Sequence, residues 1–315
     1  MDPAARVFAA IDVGSNSVHL LVASVDDDHL DVLADESVFL GLGALVDGTG
    51  RIGSRACRRL AVAIHRYVDR ARSLGARSIV CAGTEPMRRA IDGPEVAAVI
   101  GRLVGLPVHV LEHEEEGYLT LLGVNPGSHP YRQVLVIDVG GGSSEFVLVG
   151  PGRSVHAVGV QVGGASLTSR HVSGDPPTMA EVAALRRAAW GAIEAAPEAE
   201  PDAVIVVGGT ASNLLRLLPD AQGDRMLTPA RLATAIDLLV REPADATARA
   251  FGMNPIRARV LPAGAAILEA ILARYEIDRL ETRDASIREG AILALAHGGD
   301  AWRTQLASLA AGWQP

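Results

Sequence analysis

One short pattern occurs twice in this chain. IDVGSNS at residues 11–17 returns as IDVGGGS at 137–143, offset by 126 residues without a gap. Apolar runs flank both copies, VFAA and VHLLV around the first, VLV and FVLV around the second. Each copy therefore reads as a strand, a turn of glycine and small polar residues, and a second strand. A period this long is not that of a solenoid. It predicts one β-hairpin placed at the same point in each of two α/β domains, and 315 residues suit two domains.

A carboxylate at the mouth of such a turn does little for the hairpin itself. Its use is chemical. Glycines and small residues let successive backbone N–H groups converge on an anion, and serine hydroxyls add to them. Asp12 and Asp138 can hold a magnesium ion or its waters, and the ion bridges to the phosphate. Gly14, Ser15, Asn16 and Ser17 in the first copy are thus candidate phosphate ligands, as are Gly140, Gly141, Gly142 and Ser143 in the second. A third candidate is VIVVGGT at 204–210. It puts Gly208, Gly209 and Thr210 at a strand end that opens a helix, and helix N-termini favour anions.

The rest of the chain reads as alternating strands and helices. Strands are expected at 6–11, 17–25, 29–34, 36–41, 78–82 and 108–111, then at 133–138, 144–149, 154–160 and 204–207. Leu60, Ile64, Tyr67, Ala71 and Leu74 recur at helical spacing within 54–74. Further helices are expected at 95–103, 114–123, 164–171, 178–194, 228–240, 255–274 and 286–297. NPGSHP at 125–130 collects turn formers and marks the domain boundary. The expected division is 1–126, 127–300 and a tail at 301–315 that packs back on the first domain.

Composition excludes several classes. No apolar stretch approaches the ~20 residues of a membrane span, and residues 1–8 lack a secretory layout, so a cytoplasmic protein is expected. A net charge of −8 and 3% aromatics argue against nucleic-acid binding. Cys57 and Cys81 are too few for a disulfide framework or a cysteine zinc site. The chain has no lysine, so all 29 basic residues are arginine. That excludes the lysine-bearing P-loop, Schiff-base chemistry and kinases with a catalytic lysine.

DVGSNS, DVGGGSSE and VGGT resemble the phosphate motifs of the actin-like ATPase superfamily. AGTEPMRRA (82–90), EHEEEGYLTLLGV (112–124), LPAGAAIL (261–268) and SIREG (286–290) narrow this to the exopolyphosphatase/guanosine-pentaphosphate phosphatase (Ppx/GppA) family, in its short two-domain form. The resemblance implies two ribonuclease-H-like domains with a cleft between them, and hydrolysis of terminal phosphate from inorganic polyphosphate with Mg²⁺ or Mn²⁺. It places the water-activating base at Glu116, a second functional glutamate at Glu145, a phosphate contact at Arg88 and the metal at Asp138, with Asp12 orienting its waters. Glu114 and Glu115 read as an acidic first turn that complements the helix dipole. A (p)ppGpp-type nucleotide of the stringent response or a nucleoside triphosphate is the alternative substrate. An actin-like phosphotransferase or a non-enzymatic sensor is the alternative of another class, and the resemblance leaves room for a homodimer.

Residues 51–110 hold eleven arginines against four acids, a local charge of +7. Some of these arginines, Arg55, Arg58 and Arg59 first, are expected to line a track leading outward from Arg88 for a long polyanion.

Overall fold

The computed structural model describes residues 6–26, 29–124, 133–150 and 154–312. The chain forms two compact units, Met1–Gly127 with Ala285–Pro315, and Ser128–Asp284. The expected boundary loop at 125–130 lies outside the described residues.

The first unit is built on strands β1 (Arg6–Val13), β2 (Ser17–Asp26), β3 (His29–Phe39), β4 (Ser78–Gly83) and β5 (Val108–Val110). Their order in the sheet is β3-β2-β1-β4-β5, the first three antiparallel and the last two parallel to β1. In the second unit β6 (Val134–Val139), β7 (Ser144–Val149), β8 (Val155–Val160), β9 (Ala203–Val207), β10 (Met226–Leu227) and β11 (Leu280–Thr282) take the order β10-β11-β9-β6-β7-β8. Read from the third strand, both sheets run 3-2-1-4-5, and the second adds β10 at its edge. The repeated sequence therefore opens a repeated topology.

The central strands β1, β2 and β4 of the first sheet are buried on both faces, as strands in α/β proteins are, whereas the edge strand β3 is partly exposed. Ile11, Val13 and Leu20 meet Leu60 and Ile64 of the helix Gly53–Ser73 and Ile100 of the helix Gly93–Val104. Ala10, Leu21 and Val80 face the other way. They meet Leu119 and Leu122 of the helix His113–Val124 and Ala291, Ile292 and Leu295 of the helix Ile287–Gly298. In the second unit Leu135, Ile137 and Phe146 pack with Val182, Leu185, Ile267 and Ile271.

Two expectations need correction. The strands expected at 29–34 and 36–41 are one strand, because the β2–β3 register shifts between Val22 and Ala23 and passes Leu33 without breaking the ladder. The return to the first unit starts at Ala285, not at 301. The helix Ile287–Gly298 carries the apolar stripe that closes the open face of the first sheet, so it belongs there.

Candidate active site

The two turns are held in the same way. Asp12 stands opposite His19 across β1–β2, and Asp138 opposite Glu145 across β6–β7, at the same offset of 126. Gly14 N donates to Ser17 O and Gly140 N to Ser143 O, both at 3.0 Å. The helix after the third strand then takes the turn's carbonyls. Ser15 O accepts from Gly43 N at 2.8 Å and Asn16 O from Leu40 N and Gly41 N at 2.9 Å, at the start of the helix Leu42–Thr49. Gly141 O accepts from Ala165 N at 2.9 Å and Ser166 N at 3.0 Å in the helix Gly164–His171. Carbonyls that would repel a phosphate are thereby turned onto backbone donors.

Side chains tie each turn further. Ser15 Oγ donates to Glu85 Oε2 at 2.7 Å, and Glu85 Oε1 accepts from Arg89 Nε at 2.5 Å. Arg89 also reaches Asp47 at 2.7 Å. In the second unit the buried Ser143 Oγ donates to the buried Glu145 Oε1 at 2.7 Å.

Asp12 is the electrostatic outlier of the first turn. Its Oδ1 is sealed from solvent with no hydrogen-bond partner. Burial pushes its carboxyl up to about 6, against the opposing pull of the Arg288 guanidinium and with the help of Glu289. An anionic oxygen left so is a ready ligand for a cation.

The third motif belongs to Asp138. Gly208, at φ +89°, opens the helix Gly208–Arg216, and a Cβ there would lie 2.4 Å from Asp138 Oδ1. Only glycine fits that backbone and that gap. A Cβ on Gly209 would lie 3.1 Å from Arg257 Nη1, so a guanidinium already stands over the GGT turn.

Glu116 is buried near the start of the helix His113–Val124 and forms an ion pair with Arg88 Nη1. Arg88 also donates to Leu111 O, and its Nη2 lies 3.0 Å from His113 Nδ1. The expected base and the expected phosphate ligand thus hold each other. Glu114 is exposed, and Glu115 has a structural use. It caps its own helix by accepting from Glu112 N at 2.9 Å. It also forms a two-bond pair with Arg303, at 2.6 and 2.7 Å. Burial raises the Glu115 carboxyl, but the Arg303 hydrogen bonds, the Glu112 N–H and the charges of Arg303 and His109 together outweigh it and hold the group below its ordinary value. Arg303 and Arg88 together clamp the carbonyls of Val110 and Leu111 just ahead of Glu116.

Arg288 and Glu289 do not bond to each other. Arg288 Nη1 reaches Asp35 at 2.5 Å, while Glu289 forms a capping box with Ser286. The helix they begin runs against the Glu116 helix with no room to spare. A Cβ on Gly290 would lie 1.7 Å from Leu119 O.

Sequence reasoning missed three parts of this arrangement. Glu85 locks the first turn from 70 residues away. Gly163 lies so close to the second turn that a Cβ would fall 2.4 Å from Gly141 C. The paired glycines in QVGGAS after a strand were its available signal. Arg257 had none, since only the tertiary fold brings it to Gly209.

A family model described as the Ppx/GppA phosphatase family matches residues 21–298. This chain belongs to that family. Exopolyphosphatase 1 of Mycobacterium tuberculosis is 28% identical over 296 residues, covering 90% of this chain and 86% of that protein. The guanosine-5'-triphosphate,3'-diphosphate pyrophosphatase of Vibrio atlanticus is 26% identical over 289 residues, and 58% of its length is matched. Among solved structures, a Ppx/GppA family member from Aquifex aeolicus is 27% identical with a TM-score of 0.78, covering 94% of this chain and 99% of that one. The two ribonuclease-H-like units are thus the actin-like fold of the Ppx/GppA proteins. The family match starts at Leu21, so in this Ppx/GppA chain the first turn is identified by its internal copy at 137–143.

Among the described residues no helix is long and apolar enough to cross a membrane, and no three His, Cys, Asp or Glu side chains gather as a metal cluster.

Proposed function

We propose that this chain hydrolyses the terminal phosphoanhydride of inorganic polyphosphate. The observation that carries the reading is the meeting of Glu116 with Arg88. A guanidinium fork suits phosphate oxygens. A terminal phosphate that takes Arg88 frees Glu116 to receive a proton. A water oxygen then bonds to the terminal phosphorus, Glu116 accepts the water's proton, and the bond to the bridging oxygen breaks, leaving phosphate and a shortened chain. Within each unit the glycine and serine groups of its turn are the donors for phosphate oxygens, with Gly208, Gly209 and Thr210 beside the second turn.

The residues present fit a divalent cation. Asp12 offers a buried oxygen without a partner, and Asp138 Oδ1 lies against the Gly208 turn. In the second unit Asp138 would hold Mg²⁺ or Mn²⁺ with Glu145 opposite it, and in the first unit Asp12 is the corresponding carboxylate for the ion's waters. With no three-residue cage among the described residues, water and phosphate oxygens would complete the shell. Such an ion supplies charge neutralisation of the phosphate.

The mycobacterial relative supports polyphosphate as substrate, and the Vibrio relative supports guanosine pentaphosphate as the second reading. Phosphate release measured side by side on long polyphosphate, triphosphate, ATP and guanosine pentaphosphate tests the choice. Long polyphosphate is expected to have the highest kcat/KM. A clear preference for guanosine pentaphosphate would overturn the first reading in favour of the second.

A further inference from the structure

A groove of about 510 Å³ runs along the edge of the first unit, between the edge strand β3 and the helix Gly53–Ser73. Glu36, Val38 and Leu40 line one side, and Arg58, Arg59 and Arg66 the other. The acid in this lining is already engaged, since Glu36 Oε1 accepts from Arg70 Nε at 3.0 Å. The arginines of the unit fall into paired and unpaired sets. Arg70, Arg88, Arg89, Arg288 and Arg303 are all paired with carboxylates. Arg58, Arg59 and Arg66 are exposed, and none has an ion-pair or side-chain hydrogen-bond partner among the described residues. Positions 59, 62 and 66 share a helix face, and Val62 between the arginines is 63% exposed.

We infer that this groove is a secondary binding site for the distal part of a long polyphosphate chain. Three guanidinium groups with no protein counter-charge call for a ligand with repeated negative charge. Arg59 and Arg66 lie about 10 Å apart along the helix at 1.5 Å per residue, so a ligand must be extended to bridge them. The one aromatic ring in the lining, Tyr67, is buried, so the groove offers no stacking platform for nucleic-acid bases. The Leu40 end adjoins the first phosphate turn, because Leu40 N donates to Asn16 O at 2.9 Å. A chain held by its end at that turn has the groove beside it. Arg55, expected on the same track, is absent from the lining, and Arg66 stands in its place.

The inference rests on the polyphosphate reading, and the test separates the two. Binding of long polyphosphate and of triphosphate would be titrated across salt concentrations, with phosphate release followed in parallel. The proteins are the wild type, the triple variant Arg58→Gln/Arg59→Gln/Arg66→Gln and the matching triple lysine variant. The glutamine variant is expected to bind long chains about tenfold more weakly. Its slope of log affinity against log salt should fall by about one per arginine. Its hydrolysis of triphosphate should stay unchanged, and the lysine variant should stay near wild type. Val62→Glu gives a single-site check with the same direction of effect. Equal losses on both substrates, no loss on either, or a single-stranded RNA bound more tightly than polyphosphate through the same arginines would overturn the inference. Arginine-dependent binding of long chains without phosphate release would uphold the groove and sink the hydrolase reading.

Discussion

Glu116 and Arg88 set the terms at the residue scale. Glu116→Gln removes the proton acceptor but keeps the shape and an acceptor oxygen for Arg88. Turnover on every phosphate substrate should fall by roughly 10²-fold or more, with the fold kept and the melting temperature lowered only by the loss of the Arg88 counter-charge. Phosphate-release kinetics beside a thermal melt check this, and near-normal turnover removes Glu116 from the mechanism. Because the two side chains touch, Arg88→Ala leaves a buried carboxylate without its counter-charge. The double change should therefore cost less stability than the sum of the two single changes, which a double-mutant cycle in urea reads directly. Asp138→Asn should shift the magnesium concentration needed for half-maximal activity upward more than Glu116→Gln does. An unchanged magnesium titration would assign the ion to other carboxylates.

The helix His113–Val124 is the element on which the site depends, and its supports can be tested one at a time. Gly290→Ala drives a methyl group into Leu119 O. It should destabilise the protein by about 1–3 kcal/mol and lower turnover as the Glu116 helix is displaced. A melting temperature and kcat equal to wild type would show that the two helices can separate freely. The Glu115–Arg303 pair adds a dependence on pH. Folded Glu115 releases its proton more readily than the unfolded chain, whose ordinary value is 4.5. Its contribution is complete above that value and drains away as pH falls through the lower folded one. Arg303→Ala should thus cost about 1 kcal/mol at pH 7, as expected for a partly exposed two-bond pair. The share carried by the ion pair should vanish once Glu115 is protonated, leaving only the loss of the bond to Val110 O, and denaturation curves at pH 7 and in acid compare the two. The same elements show what a sequence reveals. The 126-residue offset in IDVG predicted both hairpins, and the opposed pairs Asp12–His19 and Asp138–Glu145 keep it. β11 is three residues long and too short for any period, although it pairs with β9 inside the sheet. The helix Glu85–Arg89, five residues with Pro86 in its first turn, is also too short for a period; its motif marked Arg88, but nothing in it marked the Glu85 lock. That Arg88 meets Glu116 is a tertiary fact, 28 residues apart in sequence, that no spacing reports.

At the scale of the whole molecule the chain is discontinuous. The second unit is one unbroken stretch, whereas the first is assembled from both ends of the chain. The face of its sheet that carries Ala10, Leu21 and Val80 is closed by Ile292 and Leu295, which come nearly 300 residues into the sequence. On the ribosome, where segments emerge from the N-terminus onward, the second unit has all its strands before the first has its cover. The half that is made first is thus finished last, and until then the part of its apolar sheet face not covered by the helix His113–Val124 stays open. A chain released after Asp284 should keep a protease-resistant second unit while its first unit is digested and binds a hydrophobic dye. Equal resistance of both units would mean that the sheet holds without its cover. For an enzyme whose proposed base lies on a helix clasped by that late segment, this order of synthesis withholds catalytic competence until the helices after Asp284 have left the ribosome.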